Sequence, residues 1–170
     1  MTLRRAVPAD MPACQAIYAH HVATGTASFD ERPPAPGMMA AKQLKLSAAG
    51  YPFFVTERAG QIVGFAYAGP FRERSAYRFA AENSIYLHPD FLGQGLAGPL
   101  MQAVIEATRT QGLKTLVAVI GMDQDQAPEA SASVRAHAKA GYSYVGVLDY
   151  VGYKFERWLK TVYMRYELQD

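Results

Sequence analysis

A glycine-rich turn in the middle of the chain carries the strongest chemical signal in the sequence. Gly93, Gly95 and Gly98 follow a predicted apolar strand, Ala80–Leu87, and precede an amphipathic helix predicted over Pro99–Thr110. Glycine has no Cβ atom, so its backbone can approach a ligand closely. Free N–H groups at the positive end of a helix dipole form a site for phosphate. The turn therefore predicts a site for a cofactor that carries a pyrophosphate.

The same glycines match the G-x-G-x-x-G fingerprint of dinucleotide-binding proteins, which is weak evidence by itself. In that unit the glycines directly follow the first strand, and an acidic residue follows about 20 residues later. Here residues 88–92 separate the strand from the glycines, and Asp123 comes late for the ribose contact. A nicotinamide oxidoreductase is therefore the weakest alternative, and an unchanged melting temperature in the presence of NAD would remove it.

The elements that must position this turn form one mixed α/β domain, which we expect to span residues 1–170. Hydrophobic periodicity and the Gly and Pro positions define its elements. The predicted strands are Thr2–Val7, Phe53–Glu57, Ile62–Ala68, Ala80–Leu87, Thr115–Ile120, Tyr142–Tyr150 and Thr161–Leu168. The predicted helices are one that starts after Asp10 and ends at Gly25, then Met38–Ala49, Pro99–Thr110 and Ser131–Ala140.

Composition excludes several classes of protein. Half of the 170 residues are hydrophobic, 19% are charged and the net charge is +2, which is too weak for a nucleic-acid partner. No apolar run reaches the ~20 residues of a membrane span. A single cysteine, Cys14, excludes an internal disulfide and fits a reducing compartment, so we expect a cytoplasmic protein with no membrane partner. His20 and His21 are adjacent and diverge on a helix, and we expect no metal site.

The turn and several segments beyond it resemble one superfamily. Leu92-Gly93-Gln94-Gly95-Leu96-Ala97 is similar to the Arg/Gln-x-x-Gly-x-Gly/Ala turn of the GNAT superfamily of N-acetyltransferases, with Leu92 departing from the first position. Five further segments resemble the phosphinothricin and methionine sulfone/sulfoximine acetyltransferase subfamily: Ile17-Tyr18, Thr26–Phe29, Val117–Gly121, Ser133–Tyr142 and Gly152–Trp158. The resemblance implies the GNAT fold, a mixed and mostly antiparallel central sheet flanked by helices, and acetyl-CoA as cosubstrate.

The resemblance also implies which residues hold acetyl-CoA. The backbone of Ile85, Tyr86 and Leu87 would pair with the pantetheine arm, and a backbone N–H near Leu87 would face the oxyanion, at a bulge that splays the strand from its neighbour. The pyrophosphate would be held by Gly93, Gln94, Gly95, Leu96, Ala97 and Gly98. Ser133 would touch the cofactor. An asparagine of the family pattern is absent, and either Gln124 or Ala130 takes its place; we favour Gln124.

Glu82 and His137 are the catalytic candidates that the resemblance implies. A carboxylate in a partly apolar strand has a raised pKa, which suits a base that removes the amine proton directly or through water. The alternative for Glu82 is a surface glutamate with a cross-strand partner. His137 would donate a proton to the thiolate or assist Glu82; its alternative is a helix-face histidine with a backbone partner.

Arg72 and Arg74 are the candidates for binding the acceptor. Alternate residues of an extended segment point the same way, and guanidinium groups pair well with carboxylates and phosphinates. The alternative is a solvated loop in which Glu73 is their local partner. Phe29 and Tyr77 are candidate pocket walls, with core packing as the alternative for Phe29.

The resemblance thus implies direct transfer of an acetyl group from acetyl-CoA to the amine of a small amino acid, such as phosphinothricin, methionine sulfone or methionine sulfoximine. Members of the family commonly form homodimers, and the aromatic C-terminal strands would supply that interface. Two alternatives of the same fold stay open: an acetyltransferase for protein N-termini or polyamines, and a non-catalytic protein that binds CoA.

Overall fold

Seven strands form a single sheet, and four helices flank it within residues 1–168, the part of the chain that the computed structural model describes. The strands are β1 Thr2–Arg5, β2 Phe53–Arg58, β3 Gln61–Pro70, β4 Ala80–Leu87, β5 Thr115–Asp123, β6 Ser143–Lys154 and β7 Arg157–Glu167. The helices are α1 Met11–Thr24, α2 Met38–Ala48, α3 Ala97–Thr110 and α4 Ala132–Lys139.

The strands are ordered β1-β2-β3-β4-β5-β7-β6. Only β4 and β5 run parallel, and every other neighbouring pair is antiparallel. The expected mixed, mostly antiparallel sheet is therefore confirmed. The parallel pair requires a crossover, and α3 provides it, which is why the glycine-rich turn lies between β4 and α3.

Two apolar clusters fix the sides of the sheet that the helices cover. Side chains of α1 and α2 pack on one side with those of β2 and β3, and side chains of α3 and α4 pack on the other. Because side chains alternate along a strand, β4 contributes to both sides. Tyr86 packs with the α1–α2 cluster, whereas Ile85 and Leu87 pack with the α3–α4 cluster. By the same alternation Glu82 faces the α1–α2 side and Asn83 faces the α3–α4 side.

Two predicted boundaries differ from the structure in ways that matter to the site. Helix α3 begins at Ala97, before the predicted start at Pro99, because a proline in the first turn loses no hydrogen bond. Strands β6 and β7 extend into one hairpin whose two turn residues, Phe155 and Glu156, have φ of 54° and 58°. Such turns usually carry Asn or Gly, so no local pattern indicated this turn. No helix among residues 1–168 is long and apolar enough to cross a membrane.

Candidate active site

A cleft opens where the two parallel strands part. Strands β4 and β5 are paired from Ala80 and Thr115 to Asn83 and Ala118, and both strands continue beyond that point. The cleft between their ends has a volume of about 540 Å³. The predicted splay is therefore present, but the predicted bulge is wrong: β4 keeps an unbroken register with β3 up to Leu87.

The backbone of β4 presents hydrogen-bonding groups to this cleft. The His88 N–H donates to the Val63 carbonyl over 2.9 Å, so the alternating antiparallel pattern directs the even-numbered residues of β4 toward β3. The odd-numbered residues Ile85 and Leu87 therefore direct their N–H and C=O groups toward the gap. His21 Nε2 donates to the Leu87 carbonyl over 2.7 Å, which leaves the Leu87 N–H as the donor facing the gap.

Glu82 lies in the wall of the cleft at the point of divergence. Desolvation raises the pKa of its carboxyl, while the positive charges of Arg72 and Lys42 oppose the rise. The residue opposite Glu82 on β3 is Gly69, and within residues 1–168 no cation lies within ion-pair distance of Glu82. The alternative of a surface glutamate with a cross-strand partner is therefore not supported.

His137 also borders the cleft, but only 3% of its surface is exposed. Its Nδ1 lies 2.8 Å from the Ser133 carbonyl, which can only accept, so Nδ1 carries the proton and Nε2 accepts from Asn83 Nδ2 over 3.2 Å. Burial lowers the pKa of His137, so the ring is neutral. This geometry matches the alternative of a helix-face histidine with a backbone partner.

The glycine-rich turn fits a pyrophosphate. Gly93 and Gly95 have φ of 71° and 76°, a left-handed backbone that glycine adopts without strain. The amides of residues 93–96 have no hydrogen-bond acceptor among residues 1–168, and they lie at the start of α3. A groove of about 400 Å³ runs from Gly95 to α4 and is lined by Lys139. Amide donors, a helix N-terminus and a cation together suit a diphosphate.

Leu92 departs from the family pattern and offers no positive charge to a phosphate. Its side chain is 54% exposed, and Lys139, which sequence reasoning missed, supplies a charge beside the groove. Gln94 Nε2 donates to the Asp90 carbonyl over 3.1 Å, and its Oε1 accepts from Arg58. Its side chain therefore stabilises the turn, and only its backbone is free for a ligand.

Gln124 lies outside the lining of the cleft and of the groove. Its Nε2 donates to Asp149 Oδ1 over 2.7 Å, and its Oε1 accepts from the Tyr150 N–H over 3.0 Å, so both ends of the amide bind β6. The residues of this loop that border the cleft are Gln126 and Ser131. The loop also contains a short 3₁₀ helix, Pro128–Ala130.

The loop after α1, residues 25–29, forms another wall of the cleft. The Phe29 ring sits between two glycines: an added Cβ would lie 2.4 Å from the ring at Gly121 and 2.5 Å from it at Gly152. Phe29 was predicted to form a pocket wall, and the structure places it in the lining of the cleft. This wall belongs to the α1–α2 side, as Glu82 does.

Three predicted acceptor residues lie outside the lining of the cleft: Arg72, Arg74 and Tyr77. Residues 71–79 bend and contain a 3₁₀ helix, Ser75–Tyr77, so the expected extended segment is wrong. Arg72 stacks on the Phe71 ring at 4.3 Å, and its charge reaches Glu82. Tyr77 packs edge-on against Phe71 at 5.8 Å between ring centres.

Other residues of the site were missed. Asn83, Gln126, Ser131, Thr161 and Lys139 border the cleft or the groove. The sequence could have indicated Asn83. Side chains alternate along the predicted strand, so Asn83 points to the opposite side of the sheet from Glu82. Among residues 1–168, no three side chains of the metal-binding types come together.

Comparison with known proteins places this arrangement in a family. Residues 14–142 match the family described as "Acetyltransferase (GNAT) family". A phosphinothricin N-acetyltransferase of Alcaligenes faecalis is 45% identical over 156 residues, which cover 92% of this chain and 77% of the relative. An L-methionine sulfoximine/L-methionine sulfone acetyltransferase of Pseudomonas aeruginosa is 34% identical over 168 residues, which cover 98% of this chain and 94% of the relative.

A solved structure supports the same family assignment. The crystal structure of a GNAT superfamily phosphinothricin acetyltransferase from Sinorhizobium meliloti, in complex with AcCoA, has a TM-score of 0.89 and 34% identity. The match covers 98% of this chain and 87% of that chain. The resemblance, the fold and the cosubstrate expected from the sequence are thereby confirmed. The chain belongs to the GNAT family and is an acetyl-CoA-dependent N-acetyltransferase.

Proposed function

We propose that this enzyme acetylates the amine of a small amino acid of the phosphinothricin, methionine sulfone or methionine sulfoximine type. The observation that carries the proposal is the position of Glu82. Its desolvated carboxylate lies where β4 and β5 part, beside the loop wall at residues 25–29. The names of the relatives at 45% and 34% identity support this class of acceptor.

Different residues of the chain carry out the separate steps of acetyl transfer. Bound acetyl-CoA supplies the activated acetyl group. Glu82 accepts the proton of the acceptor ammonium, directly or through water, so that the amine nitrogen can attack. The Leu87 N–H faces the charge that develops on the carbonyl oxygen, while His21 Nε2 satisfies the neighbouring carbonyl. Transfer is direct, without an acyl-enzyme: the C–N bond forms as the C–S bond of the thioester breaks. The nitrogen then loses its second proton to solvent, and the leaving coenzyme A thiolate takes up a proton from solvent.

His137 has a positioning role in this proposal. Its Nε2 accepts a hydrogen bond from Asn83 and has no proton to give to a leaving thiolate. The pair of side chains ties α4 to β4 at the point where the strands part. It therefore holds the cofactor side of the cleft in place.

Arg72 and Arg74 remain the proposed partners of the acceptor carboxylate or phosphinate. Both side chains are exposed, and the charge of Arg72 acts on Glu82. Cations that contact the acceptor would favour an anionic acceptor over a polyamine, because like charges repel.

We also propose that the enzyme forms a homodimer through the β6–β7 hairpin. Strand β6 is the edge of the sheet, and an exposed edge needs a partner or a cover. The exposed large side chains of this hairpin are Tyr144, Val145, Leu148, Tyr150, Val151, Tyr153, Phe155 and Trp158. An apolar patch of this kind marks an interface, and a second copy would bury it. A cytoplasmic location is part of the same proposal, since the one cysteine, Cys14, is a free and buried thiol.

A thiol-release assay with acetyl-CoA tests the proposed acceptor. The panel contains phosphinothricin, methionine sulfone, methionine sulfoximine, unmodified amino acids, a short peptide and spermidine. We expect the first three to give the highest kcat/KM. Preference for the peptide or spermidine would favour the corresponding alternative, and saturable CoA binding without thiol release from any amine would favour a non-catalytic CoA-binding protein.

A further inference from the structure

We infer that Lys154, on β6, is a positioning residue that holds the acceptor wall of the cleft in its working shape. The inference rests on the proposed function, because it assigns this wall to the amino-acid acceptor. Lys154 does not line the cleft; it acts through the backbone of the loop that does.

The surroundings of Lys154 are unusual for a lysine. Only 3% of its surface is exposed, and its ammonium donates to the carbonyls of Gly25 and Ser28, both over 2.9 Å. The Phe155 ring lies 4.9 Å from Nζ. Burial lowers the pKa of Lys154, and Asp30 and Glu31 oppose that change. A buried charge is costly unless it is compensated. The two carbonyls and the two carboxylates compensate the ammonium, and the ammonium in turn fixes the backbone of the loop.

The loop has few other means of support. Residues 25–30 belong to no helix or strand, so no backbone ladder fixes them. Tyr18 gives two anchors, since its hydroxyl lies 2.8 Å from Ser28 Oγ and donates to Asp30 Oδ2 over 2.7 Å. Phe29 gives a third by filling the space above Gly121 and Gly152. Lys154 alone joins Gly25 to Ser28 through one side chain, among the contacts named here.

The position of the loop predicts which kinetic constant depends on Lys154. The loop lines the cleft on the side of Glu82, whereas the groove for the pyrophosphate is lined by residues of α3 and α4. Loosening the loop should therefore weaken binding of the acceptor and leave binding of acetyl-CoA unchanged. Tyr153 and Phe155, which flank Lys154, belong to the proposed dimer surface, so this clamp also joins that surface to the acceptor wall.

The test compares three variants: Lys154→Met removes the ammonium, Lys154→Arg retains a cation with donors, and Lys45→Met removes an exposed lysine from α2 as the matched control. Loss of two charge-assisted hydrogen bonds should raise the acceptor KM by about tenfold or more in K154M. We expect K154R to recover part of this loss, K45M to match the wild type, and the KM for acetyl-CoA to stay within about twofold in all three. Amide hydrogen exchange over residues 25–30 should become faster in K154M only.

Gly152→Ala tests the same loop without removing the buried lysine, since loss of that lysine also lowers stability. The added methyl would meet the Phe29 ring without touching the ammonium, and the same rise in acceptor KM is expected. The inference is overturned if K154M keeps the wild-type acceptor KM and the wild-type exchange rates, or if the KM for acetyl-CoA rises in parallel. Absence of turnover of every amino acid by the wild type would instead refute the proposed function, and the exchange measurement would still decide whether Lys154 holds the loop.

Discussion

Replacing Glu82 by glutamine is the most direct test of the proposed chemistry. The substitution keeps the size of the side chain and removes the group that accepts the amine proton. The cleft, the β4 backbone donors and the glycine-rich turn stay intact, so both substrates should still bind. We therefore expect a fall in kcat with little change in the KM for acetyl-CoA.

The size of the expected fall in kcat follows from the role of Glu82 as a general base. A positioned general base contributes roughly 10²- to 10⁴-fold, which corresponds to about 3–5 kcal/mol of activation free energy. We expect the lower half of this range, about 10²- to 10³-fold, because the variant can still use acceptor molecules that have already lost their proton in solution. The rate of E82Q should consequently keep rising with pH up to the pKa of the free amine, whereas the wild type should level off above the pKa of Glu82.

Stability gives a second, independent readout. The fold raises the pKa of Glu82, so the native state favours the protonated carboxyl. The ionised carboxylate therefore costs stability above the native pKa, and the cost disappears as the pH falls below the pKa of the unfolded chain. Glutamine mimics the neutral form, and E82Q should melt at the same temperature as the wild type, or higher, at pH 7.

Thiol release measured from pH 5 to pH 10 and calorimetric melting provide both readouts. Glu106→Gln, which removes an exposed carboxylate from α3, is the matched control and should behave as the wild type. An E82Q variant that retains wild-type kcat and the wild-type pH profile would refute the assignment of the base.

Three further predictions concern binding and assembly. Arg72→Ala should raise the acceptor KM by about tenfold, the value of one charge-assisted hydrogen bond, without changing the KM for acetyl-CoA. A change in the KM for acetyl-CoA alone would show that Arg72 does not bind the acceptor. Lys139→Met should raise the KM for acetyl-CoA by about three- to fivefold at low salt, and the difference from the wild type should shrink as salt screens the charge. Trp158→Arg should place a charge in the apolar hairpin surface and yield monomers in analytical ultracentrifugation, and an unchanged sedimentation coefficient would contradict the proposed interface.

The parts of the fold that the sequence predicted well are those specified by local signals. Strand β4 has the predicted bounds, Ala80–Leu87, and α1 ends at Gly25 as expected. In both cases the apolar pattern and the neighbouring glycine or polar residues carry the information within a few positions. The crossover from β4 to β5 also followed, since a helix between two apolar strands predicts a β-α-β unit.

The parts that sequence reasoning missed depend on contacts between distant segments. Lys154 contacts a loop more than 120 positions away, and no local pattern distinguishes it from an exposed lysine. Lys139 becomes a groove residue only because α4 packs beside the start of α3. The partners of Gln124 on β6 could not be inferred from spacing either.

In the proposed function, the two sides of β4 act on different substrates, so one short strand can contribute to both binding sites. Its side chains alternate, so Glu82 faces the acceptor wall while Asn83 and His137 face α4 and the cofactor side. Its backbone, freed from β5 after Asn83, lies between the two and directs the Leu87 N–H into the gap. A change of side chain on one side of β4 should therefore alter the kinetics of one substrate, whereas a change that closes the gap between β4 and β5 should abolish turnover of both. In the proposed function, parting of the strands is therefore the feature on which the other residues of the site depend, because the acetyl group and the amine would meet at this opening.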